Sequence, residues 1–352
     1  MNPALRKGFT TGTAAAAAAK AASILALTGR LPEEVSVTLP GGLRTLAIKI
    51  RAASHQDGKG RSAASVIKDG GDDPDATSGL EITAAASLIN SQIDKMINND
   101  GAEVIIKGGD GVGVVTKAGL QIPVGAHAIN PVPLLMIRTA VREAIPEGIV
   151  EIEIIVPDGQ RAAAKTFNSR LGILGGISII GTTGIVEPMS VEAIKATIRC
   201  ELDVAYEENS LRVYLSPGKI GEDSLKSIFH GVHVVQMSNF IGNSLQYARD
   251  KGFREALIGG HPGKLAKLLM GYFDTHSGKS PQAAGFVARY FGLEGEYNTV
   301  EQLIEHVQNT EKFNPLAYDI AAKIRTRYGF SSVDVLLFNM KKQPIGVATC
   351  IK

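Results

Sequence analysis

The sequence predicts two domains: an α+β domain with a mixed or antiparallel sheet over residues 1–206, then an α/β domain with a parallel sheet over residues 207–352. Three observations predict this. A chain of 352 residues exceeds the usual single-domain size and can bury two cores. Up to about residue 166 the strand-like runs come in pairs around tight-turn residues, which reads as hairpins. After Leu211, three units of strand, glycine turn and helix follow in series, the pattern of a parallel sheet with right-handed crossovers.

Composition excludes several classes of function. Lys and Arg number 37 against 35 Asp and Glu, for a net charge of +2, so no basic field points to nucleic acid or a membrane surface. An anionic partner must be met by local lysines and arginines. Tryptophan is absent and aromatics make up 5%, which disfavours a base-stacking platform. Cys200 and Cys350 have no metal-ligand or disulfide spacing, so a reducing compartment is expected. No run reaches the roughly 18 apolar residues of a membrane span, and no leader pattern is seen, so the expected location is cytoplasmic.

Thr10-Thr11-Gly12-Thr13 precedes an alanine-rich run that ends at Thr28-Gly29. A threonine N-cap, a strong helix former and a glycine stop predict one helix. Its alanine face can approach another backbone closely. Thr10, Thr11 and Thr13 either cap it or present hydroxyls at its positive end. Residues 35–39 and 43–50 flank Pro40-Gly41-Gly42 as a hairpin, and a strand follows at 64–67. The loop from Lys68 to Gly79 carries four aspartates in seven positions. Oxygen ligands for a metal, a substrate-facing loop and simple Asx-turns all fit it, but the EF-hand order is not met. An apolar run at 82–89, a polar segment at 90–99 and a strand at 103–106 come next.

Gly108 to Gly113 looks like a nucleotide loop and fails the test. Val114 and Thr116 stand where the third glycine of a dinucleotide fingerprint belongs, and a strand rather than a helix follows. Asn130-Pro131-Val132-Pro133 opens a helix through Arg138 and Arg142. A second hairpin is expected from 150–156 and 162–166 around Pro157-Asp158-Gly159.

Residues 168–190 hold five glycines and adjacent threonines around Ile177-Ser178-Ile179-Ile180, which reads as a buried strand. The following turn, Gly181-Thr182-Thr183-Gly184, is either an anion-binding turn or a tight connection, and a helix runs to about Tyr206. In the second half the three glycine turns centre on Gly218, on Asn239 with Gly242 and Asn243, and on Gly259-Gly260-His261. Ligands of parallel sheets bind beyond the carboxyl ends of the strands, where these turns lie. The third resembles a phosphate loop but has Leu265 in place of the magnesium-binding Ser or Thr, so nucleoside triphosphate hydrolysis is rejected. Helices at 281–291, 299–308 and 315–328 and a hairpin of 333–339 with 345–351 complete the chain.

Several stretches in order go beyond generic pattern. They are Gly8-Phe9-Thr10-Thr11-Gly12-Thr13, Lys68 to Gly79, Gly111 to Lys117, Ala128 to Pro133, the stretch 168–190, and Gly263-Lys264 followed by Thr275-His276-Ser277. Together, from about residue 6 to 280, they resemble the cobalt-precorrin-5B (carbon 1) methyltransferase family, CbiD, of anaerobic cobalamin synthesis. The resemblance implies S-adenosylmethionine as methyl donor, a tetrapyrrole substrate that brings its own cobalt, no protein metal site, and a Rossmann-like second domain. It leaves homo-oligomerisation and hand-over with neighbouring pathway enzymes open. Three positions depart from the family pattern: Ala14 for a cysteine, Leu134 for an arginine, and 278–282 for an acidic and basic pair. The competing reading is a tetrapyrrole-binding member with lost or altered catalysis, or another step on the macrocycle such as deacylation.

On this reading the donor is met by Gly218, Asn239, Gly242, Asn243, Gly259 and Gly260. The carboxylate-rich substrate is met by Thr10, Thr11, Thr13, Lys68, Asp72, Asp73, Lys117, Asn130, Arg138, Arg170 and Lys264. Thr182 and Thr183 are expected as neutral donors at the reacting ring, and His261 as an acid or base. The expected meeting place of donor and substrate is the stretch 168–190.

Overall fold

The computed structural model describes residues 5–42, 44–53, 61–89, 102–307 and 310–351. The polar segment expected at 90–99 lies outside them. The chain forms two compact units, Met1–Ser190 and Val191–Lys352.

The first unit opens with β1 (Gly8–Phe9) and α1 (Thr11–Thr28). Thr10 caps α1 by accepting the Thr13 N–H at 3.2 Å, and Gly29 ends it at φ 70°, where a Cβ would be strained. Residues Ala14 through Ala19 are fully buried, because a side chain of one methyl lets α1 settle against two sheet strands and a second helix at once.

The β2 (Glu34–Thr38) and β3 (Thr45–Lys49) hairpin pairs as the Pro-Gly-Gly turn predicts, with Val35 and Val37 inward. Next in order are β4 (Arg51–Ala52), β5 (Ser62–Ile67), β6 (Glu81–Ile89) and β7 (Glu103–Gly108). Then come the short β8 (Val114–Val115), α2 (Pro131–Ala144) and β9 (Ile149–Ile155). The main sheet runs β4-β5-β6-β9-β7, antiparallel except for the parallel β7–β9 pair.

Because β9 is paired on both sides, the hairpin expected at 150–166 has no edge to form on. Its second arm is instead the short helix α3 (Gly159–Ala163), and Gly159 packs so tightly on the Gly111 carbonyl that a Cβ would collide with it.

The stretch 168–190 is also different from expectation. Its ordered pairs are β10 (Ile173–Leu174) with β8 and β11 (Ile185–Val186) with β1. Ile177 and Ile179 make only single parallel bridges, to Val112 and Ile129. Both are buried while Ile180 is exposed, so the alternation of a strand is present without a ladder.

The second unit begins with α4 (Val191–Glu208), whose Ile198, Leu202 and Ala205 join the core of that unit, so the division falls ahead of residue 206. β12 (Arg212–Ser216), α5 (Lys219–Ile228), β13 (Val234–Gln236), α6 (Ile241–Lys251) and β14 (Glu255–Gly260) follow as three strand and turn units. The helix expected after β14 is only α7 (Pro262–Leu265) plus a 3-10 turn at Ala266–Leu268. α8 (Ala284–Tyr290), α9 (Val300–His306) and α10 (Asn314–Tyr328) lead to β15 (Ser332–Phe338) and β16 (Pro344–Ile351). The sheet order is β13-β12-β14-β15-β16, parallel throughout except for β16. Among the described residues no helix is long and apolar enough to cross a membrane.

Candidate functional site

In the second unit the chain leaves β12 for β13 on one side and returns to β14 on the other. The order therefore reverses between β12 and β14, and a crevice outside their carboxyl ends is where sheets of this kind take ligands. The residues at that point are Ser216-Pro217-Gly218 after β12 and His261 to Lys264 after β14. The Ser216 hydroxyl tightens the first turn, donating to the Gly218 carbonyl at 2.6 Å and accepting the Gly218 N–H at 3.2 Å. Lys264 spans the point, its Nζ donating to the Pro217 carbonyl at 3.1 Å.

The glycines differ in what surrounds them. A Cβ on Gly259 would lie 2.6 Å from Leu225, on Gly260 2.9 Å from Pro217, and on Gly242 2.8 Å from Phe273, so neighbouring protein fills those spaces. Beside Gly218 nothing lies within 4 Å of that position, and its backbone is extended. At the β13 turn the Asn239 carbonyl accepts the Thr275 N–H at 2.9 Å. Asn243 Oδ1 is buried with no hydrogen-bond partner among the described residues.

His261 caps α7. Its Nδ1 accepts the Gly263 N–H at 3.0 Å, which leaves the proton on Nε2 to donate to Glu301 Oε2 at 3.0 Å. In place of the free nitrogen expected of an acid or base, both nitrogens are engaged.

Sequence reasoning passed over a cluster beside this edge. Lys267 is 8% exposed, and its Nζ donates to Ser280 Oγ at 2.9 Å and to the Thr275 carbonyl at 3.2 Å. Burial first, and then the charge of Lys267, pull the Lys264 ammonium below its ordinary pKa. The signal was present in the sequence: two lysines three residues apart inside the apolar run Leu265-Ala266, Leu268-Leu269.

In the first unit the threonines of the α1 nose and the glycine-rich stretch form one knot. Thr13 Oγ1 donates to the Gly184 carbonyl at 2.7 Å, and Ile180 N–H donates to Thr11 Oγ1 at 2.8 Å. The N–H groups of Thr10 and Gly12 donate to the carbonyls of Gly184 and Ile180, each at 3.0 Å, and Asn130 N–H donates to the Ile179 carbonyl at 3.0 Å. Thr10, Thr11 and Thr13 are buried.

The acidic loop wraps the same knot. Asp69 binds the Arg6 guanidinium, Asp72 accepts the Arg6 N–H at 2.6 Å, and Asp73 accepts the Met189 N–H at 2.8 Å. Lys68, 2% exposed, is paired with Asp75. These side chains hold the loop, and among the described residues no group of three or more metal-ligating side chains is assembled. Thr183 Oγ1 accepts the Ile185 N–H at 3.3 Å and Thr182 is exposed. Arg138 is exposed on α2, and Lys117 and Arg170 are half-buried, with the Lys117 stem packed on Gly172.

An open hollow of about 800 Å³ lies at the opposite, amino-terminal edge of the parallel strands, with Arg249, Arg254 and Arg325 in its wall. Arg249 serves helix-end carbonyls there, donating to Gly329 at 3.2 Å and Phe253 at 3.4 Å, as capping cations do.

A family model described as CbiD matches residues 1–188. The curated cobalt-precorrin-5B C(1)-methyltransferases of Salmonella arizonae and of Klebsiella pneumoniae subsp. pneumoniae are each 39% identical over 364 aligned positions, covering 97% of this chain and 92% of theirs. The chain belongs to the CbiD family. A 1.9 Å crystal structure of the cobalamin biosynthesis protein CbiD from Archaeoglobus fulgidus aligns at 29% identity over 82% of this chain and 85% of that one, with a TM-score of 0.40; the assignment rests on the sequence matches. In this CbiD protein the three departures are accommodated locally. Ala14 is fully buried, Leu134 packs against the first core, and at 278–282 Gly278 donates to His276 Nδ1 at 3.1 Å while Lys279 pairs with Asp274 at 2.7 Å.

Proposed function

We propose that this CbiD protein is a methyltransferase that moves the methyl group of S-adenosylmethionine to carbon 1 of cobalt-precorrin-5B, giving cobalt-precorrin-6A. The observation that carries this is the 39% identity to enzymes of that name over 97% of the chain. The substrate is a tetrapyrrole that carries its own cobalt, and the setting is cytoplasmic.

The second unit is read as the Rossmann-like, donor-binding part. Two features support that reading: the open side of Gly218 at the switch point would take part of the donor, and Asn243, at the start of α6, carries a buried Oδ1 with no partner among the described residues. When bound, S-adenosylmethionine supplies an electrophilic methyl: the new bond takes its electrons from the ring carbon, and the breaking S–C bond leaves its pair on sulfur. The chain's own work is to hold, orient and dry the reactants, since such a transfer needs no protein nucleophile. In the first unit, the threonine knot and acidic loop fix the 168–190 backbone. The exposed Arg138 and Thr182 are then left to meet the carboxylates and ring edge of the substrate.

The test is direct. Calorimetry is expected to show S-adenosylhomocysteine binding, and mass spectrometry one methyl added to cobalt-precorrin-5B. Absence of donor binding would sink the reading. Donor binding without transfer would favour a tetrapyrrole-binding member with lost turnover.

A further inference from the structure

Two lysines at the carboxyl edge of the parallel sheet are held without an opposite charge. Lys267 is buried, and its ammonium donates to two neutral oxygens, the Thr275 carbonyl at 3.2 Å and the Ser280 hydroxyl at 2.9 Å. Ser280 Oγ itself donates to the His276 carbonyl at 3.0 Å, so its remaining role toward Lys267 is as acceptor. Lys264 reaches one neutral oxygen, the Pro217 carbonyl at 3.1 Å. Each ammonium has three donors, so both retain unused ones.

Among the described residues neither lysine has a carboxylate partner. The nearest acids in sequence are committed elsewhere, Glu255 to Arg212 at 2.6 Å and Asp274 to Lys279 at 2.7 Å and to the His276 N–H at 3.3 Å. Thr275 adds an independent sign: its Oγ1 is buried with no hydrogen-bond partner, on the residue whose carbonyl receives Lys267 and whose N–H holds the Asn239 carbonyl. A buried cation, a half-buried one beside it and an idle buried hydroxyl are unfavourable alone and favour an anion. The burial that pulls down the Lys264 pKa is the same effect seen from the lysine.

We propose that Lys264, Lys267 and Thr275 form a carboxylate site beside the switch point, and that the carboxylate it takes is that of the amino-acid part of the methyl donor. The placement fits, because Lys264 is anchored on the carbonyl immediately before Gly218, whose open side forms the donor cradle. This rests on the donor reading above, and the experiment separates the two. Titrations of the full chain use S-adenosylhomocysteine and 5′-methylthioadenosine, which shares the nucleoside and thioether but has no amino-acid carboxylate.

Wild type is expected to bind both, and its failure to bind either overturns the donor reading itself. Lys264→Gln is expected to weaken S-adenosylhomocysteine by about tenfold or more, the scale of a charge-assisted hydrogen bond, with 5′-methylthioadenosine within about twofold. Thr275→Val, nearly isosteric, is expected to act in the same direction by a smaller factor, and far-ultraviolet circular dichroism checks that each variant is folded. Equal weakening of both ligands would mean a structural role and overturn the site. Unchanged S-adenosylhomocysteine affinity also overturns the donor assignment; if cobalt-precorrin-5B binding then falls in the same variants, the carboxylate belongs to the substrate.

Discussion

Thr11 and Ile180 are joined through a single hydroxyl. The Ile180 N–H donates to Thr11 Oγ1 at 2.8 Å, and that hydroxyl in turn has the Ser178 and Ile180 carbonyls at 3.2 Å to donate to. The threonine nose of α1 is thereby committed to backbone of the same unit. Replacing Thr11 by Val keeps the shape and leaves the Ile180 amide unpaired, at a cost of about 1–3 kcal/mol. Chemical denaturation is expected to show that loss with S-adenosylhomocysteine affinity unchanged, and Thr11→Ser is expected to recover most of the stability. A loss of ligand affinity with full stability would return Thr11 to the binding site.

Gly181 sits at φ 140°, and a Cβ there would collide with Thr10 Oγ1. The backbone strain alone is about 1–3 kcal/mol for a residue other than glycine, and the collision adds to it because Thr10 is itself fixed by its bond to Thr13. Gly181→Ala is therefore expected to lower the midpoint of thermal unfolding by several degrees. A midpoint equal to wild type would show that the knot yields more easily than its packing implies.

Local chemistry was readable where an element carries its own caps or turn, but which strands flank β9 was not. Thr10 and Gly29 delimit α1 as their chemistry requires, and Pro40-Gly41-Gly42 closes the expected hairpin. The arm at 162–166 had the right turn before it yet no edge to join, because β6 and β7 already occupy both sides of β9. The same limit applies to function. Residue type marked Thr10, Asp72 and Asp73 as possible ligands, but in the structure they accept backbone N–H groups, those of Asp72 and Asp73 from far along the chain, which spacing does not encode. Lys267 went unread for the converse reason: a lysine in an apolar run is a weak mark, and only its burial sets it apart from a surface residue.

Lys68 and Asp75 offer a pH test. Burial pushes the Asp75 carboxyl up, but the hydrogen bond and charge of Lys68, joined by Thr77, outweigh it and hold the pKa below the ordinary carboxylate value. A depressed folded-state pKa contributes stability above the unfolded value, about 4, that is lost as pH falls through the folded one. Asp75→Asn removes the partner of a buried ammonium and is expected to cost about 3–5 kcal/mol at neutral pH. Its stability is also expected to fall less steeply than that of wild type below about pH 4. Parallel acid limbs for the two proteins would show that the pair does not govern this range.

The open side of Gly218 gives a test of the donor cradle that spares the fold. Its extended backbone is one that any residue adopts, so a larger side chain costs little conformationally. Gly218→Val is expected to leave the unfolding midpoint near that of wild type while filling space at the switch point. Donor affinity should then fall by about tenfold, equivalent to roughly 1.4 kcal/mol. Retained affinity in the folded variant would place the donor elsewhere.

His261 separates two roles that its position alone would allow. As a cap it needs only an acceptor for the Gly263 N–H, which asparagine also supplies at a helix start. As a general acid or base it would contribute about 10²- to 10⁴-fold, and asparagine would supply none of it. His261→Asn is expected to keep kcat within a few-fold of wild type and to lose only modest stability, through the missing Glu301 contact. Glu301→Gln should mimic that second effect, because its oxygens accept both His261 Nε2–H and the Met340 N–H at 3.2 Å. A fall in kcat of a hundredfold or more in folded His261→Asn, with the basic or acidic limb of the pH profile abolished, would instead make His261 a proton-transfer group. The engagement of both its nitrogens would then have to be broken during turnover.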